Sequence, residues 1–326
     1  MTDLTSLSPF SYQLLILLCV IVTKSLVSHF IVHEPLRFFQ FYCQKLSDKV
    51  NKSQNSTKQQ TIAGFVAILV TLLPILIILW MFEVLVEVDF LWQAFLLYLA
   101  LGSFGLTQIS KTISQAITSK QNYVAKKTLK PWVLRETDVL SSLGLSKACI
   151  EMQFLRTLQQ GYSVAFLFIL FGPLTAIGYR LLLEMHYCWN TKLITHRHFG
   201  RYSKSLTNLI AWIPVRIFSL LLLFTSLGKN FRLVWNLSRP YFFQLNNNLA
   251  LLLIALHLEV KLGGVAMYQT NNEKEKLRKI SFNDRARQPQ AKDIIQAKNK
   301  VQAAIYINLF LLILLAISVE FVAANI

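Results

Sequence analysis

Two arginines stand where a guanidinium is costly to place. Arg180 lies near the end of one long apolar segment and Arg216 in the middle of another. At the centre of a membrane helix such a residue costs roughly 2.5 to 3.5 kcal/mol on insertion scales, which makes each a candidate for function. Snorkelling to the headgroups is the alternative, and it suits Arg180, close to the polar Glu184-Met185-His186 edge, better than Arg216. Guanidinium groups grip phosphate or carboxylate bidentately, so the pair would suit an anionic ligand. Glu151, on the approach to the Arg180 segment, reads equally as a general base or as a plain helix-surface carboxylate.

A third candidate is the stretch Ile254 to Tyr268, in which an apolar helix runs through Lys261 into Gly263-Gly264. Paired glycines permit positive φ, and the exposed amides of such a turn receive anions; a helix C-cap followed by a loop gives the same pattern. No phosphate-binding P-loop is present: Gly228-Lys229 is followed by Asn230, and position 223 is Leu. The cofactor is therefore left unassigned, ATP included. His196-Arg197-His198 with His186 lacks acidic companions and reads as a solvated loop, so no metal is expected. Cys19, Cys43, Cys149 and Cys188 form no Cys-x-x-Cys pair.

These residues need a scaffold, and the composition says which kind. The chain has 326 residues, of which 15% are charged and 54% hydrophobic, with a mean hydropathy of +0.46. A soluble domain carries about 25% charged residues, so a membrane protein is the reading. The net charge of +17 would also suit nucleic acid, but no compact basic domain motif accompanies it and no nucleic-acid partner is expected. An all-α polytopic fold follows, with about six transmembrane or re-entrant helices near 12–32, 62–82, 90–106, 163–183, 209–227 and 303–319. Pro74 should bend the second, and Gly172-Pro173 and Pro214 interrupt the fourth and fifth.

Thirty of the 33 Lys and Arg lie in four connections: five in 33–61, eight in 107–162, four in 185–207 and thirteen in 229–302. The N-terminal tail, the 83–89 turn and the C-terminal end hold none. The positive-inside rule then puts the three long basic connections in the cytoplasm and both ends outside. The 185–207 connection conflicts with six crossings, because its charge belongs inside; re-entrant or broken helices would reconcile the two. Within 107–162, Ile109, Ile113, Ala116, Ile117 and Val124 recur at helical spacing, as in an amphipathic helix lying on lipid or on a neighbouring helix.

In order, several pieces resemble the membrane proteins of cobalamin biosynthesis called CbiB or CobD, the adenosylcobinamide-phosphate synthases, and their relative AmpE. They are His33-Glu34-Pro35, Arg135-Glu136-Thr137-Asp138, Glu151, Gly172-Pro173-Leu174 through Tyr179-Arg180, and Trp212-Ile213-Pro214-Val215-Arg216. Leu262-Gly263-Gly264 with Tyr268, and Asp284-Arg285-Ala286-Arg287-Gln288-Pro289, complete the set. The resemblance spans nearly the whole chain. It implies one bacterial inner-membrane domain that joins adenosylcobyric acid to aminopropanol or its phosphate through an amide. Glu151 would be the catalytic group, and His33, Tyr179, Arg180, Arg216, Lys261, Gly263, Gly264 and Tyr268 would bind substrate. Partners would be the corrinoid and aminoalcohol substrates, the lipid bilayer and other membrane proteins of the corrinoid pathway. After Glu151 the chain departs from the synthases, reading Phe154-Leu155-Arg156-Thr157-Leu158-Gln159-Gln160-Gly161 where they carry an acidic, Asn-bearing stretch. That wording is closer to AmpE, which implies the alternative of a regulatory membrane protein without catalysis.

Overall fold

The computed structural model describes residues 7–30, 35–102, 106–225, 231–270 and 273–324. Helices α1 (Pro9–Phe30), α2 (Arg37–Val50), α3 (Thr57–Leu85) and α4 (Asp89–Ala100) open the chain, followed by α5 (Leu106–Thr118), α6 (Asn122–Leu129) and α7 (Ser142–Arg156). Then come α8 (Ser163–Phe171), α9 (Pro173–Cys188), α10 (Arg201–Ile210), α11 (Trp212–Thr225), α12 (Phe231–Ser238) and α13 (Asn248–His257). An antiparallel hairpin, β1 (Leu262–Thr270) and β2 (Glu273–Phe282), precedes the final helix α14 (Ala291–Ala324).

Helix boundaries follow local chemistry. Ser56 starts α3 with a capping box: its hydroxyl accepts from the Gln59 amide at 3.3 Å while the Gln59 side chain accepts from the Ser56 amide at 2.9 Å. Among the described residues four helices are long and apolar enough to cross a bilayer, Pro9–Ser28, Thr57–Leu85, Ser142–Phe171 and Ala291–Ala323. The α10–α11 pair, bent by 52°, adds a fifth where it is counted as one span. The protein is a helical, multi-pass membrane protein. Exposed Ile77, Trp80, Phe310 and Leu314 on α3 and α14 are the lipid-facing surface such a protein needs.

Three segments differ from the sequence expectation. The 90–106 segment forms a helix of only 12 residues. The 209–227 segment is the bent α10–α11 pair, broken at Ala211 just before Pro214. The 163–183 segment is two helices: a π-helical turn at Thr157–Tyr162 fuses α7 to α8, and the chain then reverses at Gly172 into α9. Gly172 takes φ +82°, a left-handed value that glycine adopts freely, and Pro173 starts α9 where its missing N–H costs nothing. Residues about equally far from Gly172 meet across the hairpin. The Tyr187 hydroxyl donates to Gln159 Oε1 at 2.8 Å, and the Arg156 guanidinium sits 5.1 Å from the Tyr187 ring.

This reversal decides where the awkward basic connection goes. The chain leaves α9 level with the junction of α7 and the π-helical turn, on the α7 side of the reversal, and there the Trp189 indole donates to the Cys43 carbonyl at 3.0 Å and the Asn51 amide to the Thr195 carbonyl at 2.8 Å. Residues 189–200 thus share a face with the 33–61 connection, and the charge conflict disappears. At the other face, the Ser8 amide and hydroxyl donate to Glu320 Oε1 at 2.9 and 2.6 Å, so the start of α1 and the end of α14 adjoin. The amphipathic stretch becomes α5, with Ile113 and Ala116 buried and Lys111 exposed. The hairpin is a β element within the otherwise helical fold, where glycine and β-branched residues follow α13.

Candidate functional site at the basic face

Ser141 caps α7, accepting from the Gly144 amide at 3.3 Å. That start places Lys147 and Glu151 four residues apart on one helix face. Opposite them runs β1, to which a short extended piece is added on one side: Arg135 pairs antiparallel with Tyr268, and the Glu136 amide donates to the Met267 carbonyl at 2.9 Å. The β1–β2 register slips between Gly263 and Val265, a bulge that turns the backbone locally. Gly263 has φ +74°, and a Cβ there would lie 2.2 Å from the Ile280 carbonyl oxygen, so only glycine fits. The Gly-Gly pair is therefore a strand bulge, beginning six residues beyond the end of α13, rather than a helix C-cap.

The bulge aims the Gly263 amide at Glu151 Oε1, 2.9 Å away. Arg135 forms an ion pair with the other carboxylate oxygen. The Glu151 side chain is only 6% exposed, so its position is set by these contacts rather than by solvent. Lys261 pairs with Asp284 at 2.7 Å while its backbone amide donates to the Arg287 carbonyl at 2.9 Å. Arg287 in turn clamps Asp293 through two 2.7 Å hydrogen bonds, fixing the start of α14 against the hairpin. Tyr268 is buried, which pushes its phenol up from the ordinary value, and the Lys261 hydrogen bond holds the Asp284 carboxyl below the usual range. Arg135, Lys147 and Lys261 thus face Glu151 and Asp284, three cations to two carboxylates. An anionic group is favoured beside a carboxylate held in fixed geometry.

Of the residues singled out from sequence, Glu151, Lys261, Gly263, Gly264 and Tyr268 come together here. Tyr179 and Arg180 do not. They are buried on α9, where Arg180 pairs with Glu184 at 2.6 Å. The Gln40 amide donates to the second Glu184 oxygen at 2.8 Å, and the Lys24 ammonium donates to the Tyr98 and Leu101 carbonyls nearby. Arg180 Nε and Nη1 have no hydrogen-bond partner among the described residues. Arg216 is elsewhere again: its guanidinium donates to the carbonyls of Tyr241, Phe242, Gln244 and Asn246 and lies 5.3 Å from the Trp212 ring. It ties α11 to the turn before α13. His33 lies outside the described residues.

Sequence reasoning passed over Arg135, Lys147 and Asp284 as members of the site. Arg135 and Asp284 were visible as parts of short motifs, but only the pairing of residue 135 with β1 assigns them a partner. A polar route links the two regions. Arg156, little more than a turn beyond Glu151, lies 4.9 Å from the Trp132 ring as well as beside Tyr187, and the Gly102 amide donates to the Gln160 carbonyl at 2.9 Å next to Arg180. The π turn makes this possible: its extra residue per turn brings both Gln159 and Gln160 to buried positions.

Fold and site together define a multi-pass helical membrane protein with a basic, carboxylate-bearing site between a membrane helix and a β-hairpin at one face. The sequence profile of the family described as CobD/Cbib protein matches residues 17–301. The chain belongs to the CobD/CbiB family of cobalamin-biosynthesis membrane proteins. Relatives named cobalamin biosynthesis protein CobD include one from Chromobacterium violaceum, 27% identical over 206 residues that make up 63% of this chain and 66% of that protein. Another, from Stutzerimonas stutzeri, is 26% identical over 254 residues, 77% of this chain and 81% of the relative. A third, from Leptospira interrogans, is 27% identical over 194 residues, 56% of this chain and 60% of the relative. No solved structure matches the chain.

Proposed function

We propose that this protein is an adenosylcobinamide-phosphate synthase-type amide ligase of the bacterial inner membrane, joining the propionate of adenosylcobyric acid to aminopropanol or its phosphate. The observation that carries the reading is the convergence of Glu151, the Gly263 amide and Arg135 at one point beside Lys147 and Lys261. Amide formation needs the amine freed of a proton, an activated carboxylate and cations for phosphate. Glu151 takes the proton at a carboxylate oxygen, since each such oxygen carries two lone pairs. Lys147 and Lys261 hold the phosphate or the carboxylate, and Arg135 keeps the Glu151 side chain in register with the bulge. The carboxyl carbon loses one oxygen as the C–N bond forms, so an activating group must carry that oxygen away. The Lys/Arg-rich connections that share this face support a cytoplasmic site by the positive-inside rule, on the side where both substrates would be available.

The test is product formation by the purified, lipid-reconstituted chain supplied with adenosylcobyric acid, aminopropanol phosphate and ATP, read by mass spectrometry. Product is expected, with a fall of at least about 100-fold in Glu151→Gln, on the scale of lost general-base catalysis. A correctly inserted wild-type chain that forms no product, and does not restore growth on cobyric acid to a strain lacking the synthase, overturns the enzymatic reading. That result would favour the regulatory alternative, to which the Arg156, Thr157 and Gln159 replacements near the site point.

A further inference from the structure

A cavity of about 850 Å³ lies on the far side of α7 from Glu151, between α1, α5, α8 and α14. Its lining changes character along its length. At the basic face it is bounded by Lys111, Lys298, Ser28, Gln108 and Gln302. Toward the opposite face the lining becomes Phe10, Leu17, Ile169, Leu170, Leu312 and Leu315. Among its described lining residues there is no carboxylate. The stripe Phe10, Leu17, Ile21, Ser25 and Ser28 on α1 runs antiparallel to Lys298 through Leu315 on α14, so both walls grade from polar to apolar in the same sense.

Gln153 supplies an independent sign of an occupant. This lining residue is 4% exposed, and neither its Oε1 nor its Nε2 has a hydrogen-bond partner among the described residues. A buried amide without partners is rare, and one bordering a cavity asks for a ligand that offers both a donor and an acceptor. The shape narrows the choice. Lys298 to Leu315 spans about 26 Å at 1.5 Å per residue, so 850 Å³ averages to about 33 Å² in cross-section. That admits a hydrocarbon chain, whose apolar surface matches the lining at Leu17, Ile169, Leu312 and Leu315. Leu170, Tyr306 and Leu315 along it are exposed on the lipid-facing surface, so the channel opens sideways to the bilayer.

We infer that this cavity is a binding site for one anionic glycerophospholipid, its phosphate between Lys111 and Lys298, its hydroxyl and ester groups against Gln153, and a fatty-acyl chain along Ile169, Leu312 and Leu315. Charge complementarity selects the headgroup, because among the described lining residues the mouth offers two ammonium groups and no carboxylate. The Gln153 amide selects a headgroup with hydroxyl donors as well as phosphate acceptors, which phosphatidylglycerol has. A site wedged between α1, the π turn and α14 couples bilayer composition to the helix that carries Glu151.

The test uses the full chain purified in zwitterionic detergent and titrated with dioleoyl phosphatidylglycerol or dioleoyl phosphatidylcholine, with retained lipid counted by native mass spectrometry. One phosphatidylglycerol per chain is expected, held at least tenfold more tightly than phosphatidylcholine and not displaced by millimolar inorganic phosphate. Lys111→Gln with Lys298→Gln, both outside the proposed catalytic site, should bring the two lipids to equal retention. Gln153→Leu should weaken phosphatidylglycerol several-fold with the circular dichroism spectrum unchanged. Equal retention of both lipids by the wild type, a preference that survives the double lysine variant, or displacement by phosphate alone would each overturn the proposal. None of these readouts involves the corrinoid reaction, so the lipid site and the ligase reading fail separately.

Discussion

Removing Glu184 tests whether the membrane-buried polar cluster holds the fold or waits for a ligand. Its carboxylate pairs with Arg180 at 2.6 Å, with side-chain exposures of 0% and 4%, and also accepts from Gln40 at 2.8 Å. Glu184→Ala leaves Arg180 as an uncompensated buried cation with the Lys24 ammonium close by, a loss of about 3–5 kcal/mol for a buried pair broken from one side. Replacing both partners by apolar residues of similar volume, Arg180→Met with Glu184→Leu, should return stability to within about 1 kcal/mol of the wild type. The assay is equilibrium unfolding in mixed micelles with increasing dodecyl sulfate, followed by tryptophan fluorescence, for Glu184→Ala, for Arg180→Met and Glu184→Leu singly, and for the double. A cost below about 1 kcal/mol for Glu184→Ala, or single-variant losses that simply add in the double, would refute the buried-pair argument. The double variant also separates roles for Arg180. Native stability with lost product formation assigns Arg180 to an anionic substrate, whereas retained product formation leaves it a structural ion.

Gly263→Ala sets a Cβ 2.2 Å from the Ile280 carbonyl at φ +74°, whereas Gly264→Ala meets open space and only the φ of +100°. Gly263→Ala should therefore destabilise the hairpin by about 1–3 kcal/mol, and more than Gly264→Ala does, as measured by protection of residues 262–282 from limited proteolysis. Asp284 titrates lower in the folded chain than in the unfolded one because Lys261 donates to it, so its contribution is present above about pH 4 and is lost as pH falls below that. Asp284→Asn should flatten the acid limb of the stability profile, and an unchanged limb would contradict the pairing. In a cysteine-free background, cysteines at Lys58 and Lys192 should react with an impermeant maleimide from the same side of sealed vesicles, and one at Glu87 from the other. Opposite sidedness for Lys58 and Lys192 would break the hairpin topology at Gly172.

Composition and charge patterning by themselves determined the solvent of this protein. Runs of twenty apolar residues have no aqueous solution, and thirty lysines and arginines outside them mark which connections share a face. The order of short motifs carried the family, and in this chain several of them mark a local backbone need: the Gly172-Pro173 reversal, the Gly263 bulge, the Arg287 clamp on Asp293. What sequence could not decide was which polar residues meet. Arg180 and Arg216 look alike in a hydropathy profile, since both are single cations in apolar runs. One faces a carboxylate a turn away on its own helix, and the other reaches four carbonyls about thirty residues downstream. Likewise Glu151 and Gly263 are 112 residues apart and become neighbours only because a bulge in β1 turns one amide toward α7. Local propensity reports on the next few residues of chain, whereas a site assembled across helices depends on packing that no single segment encodes.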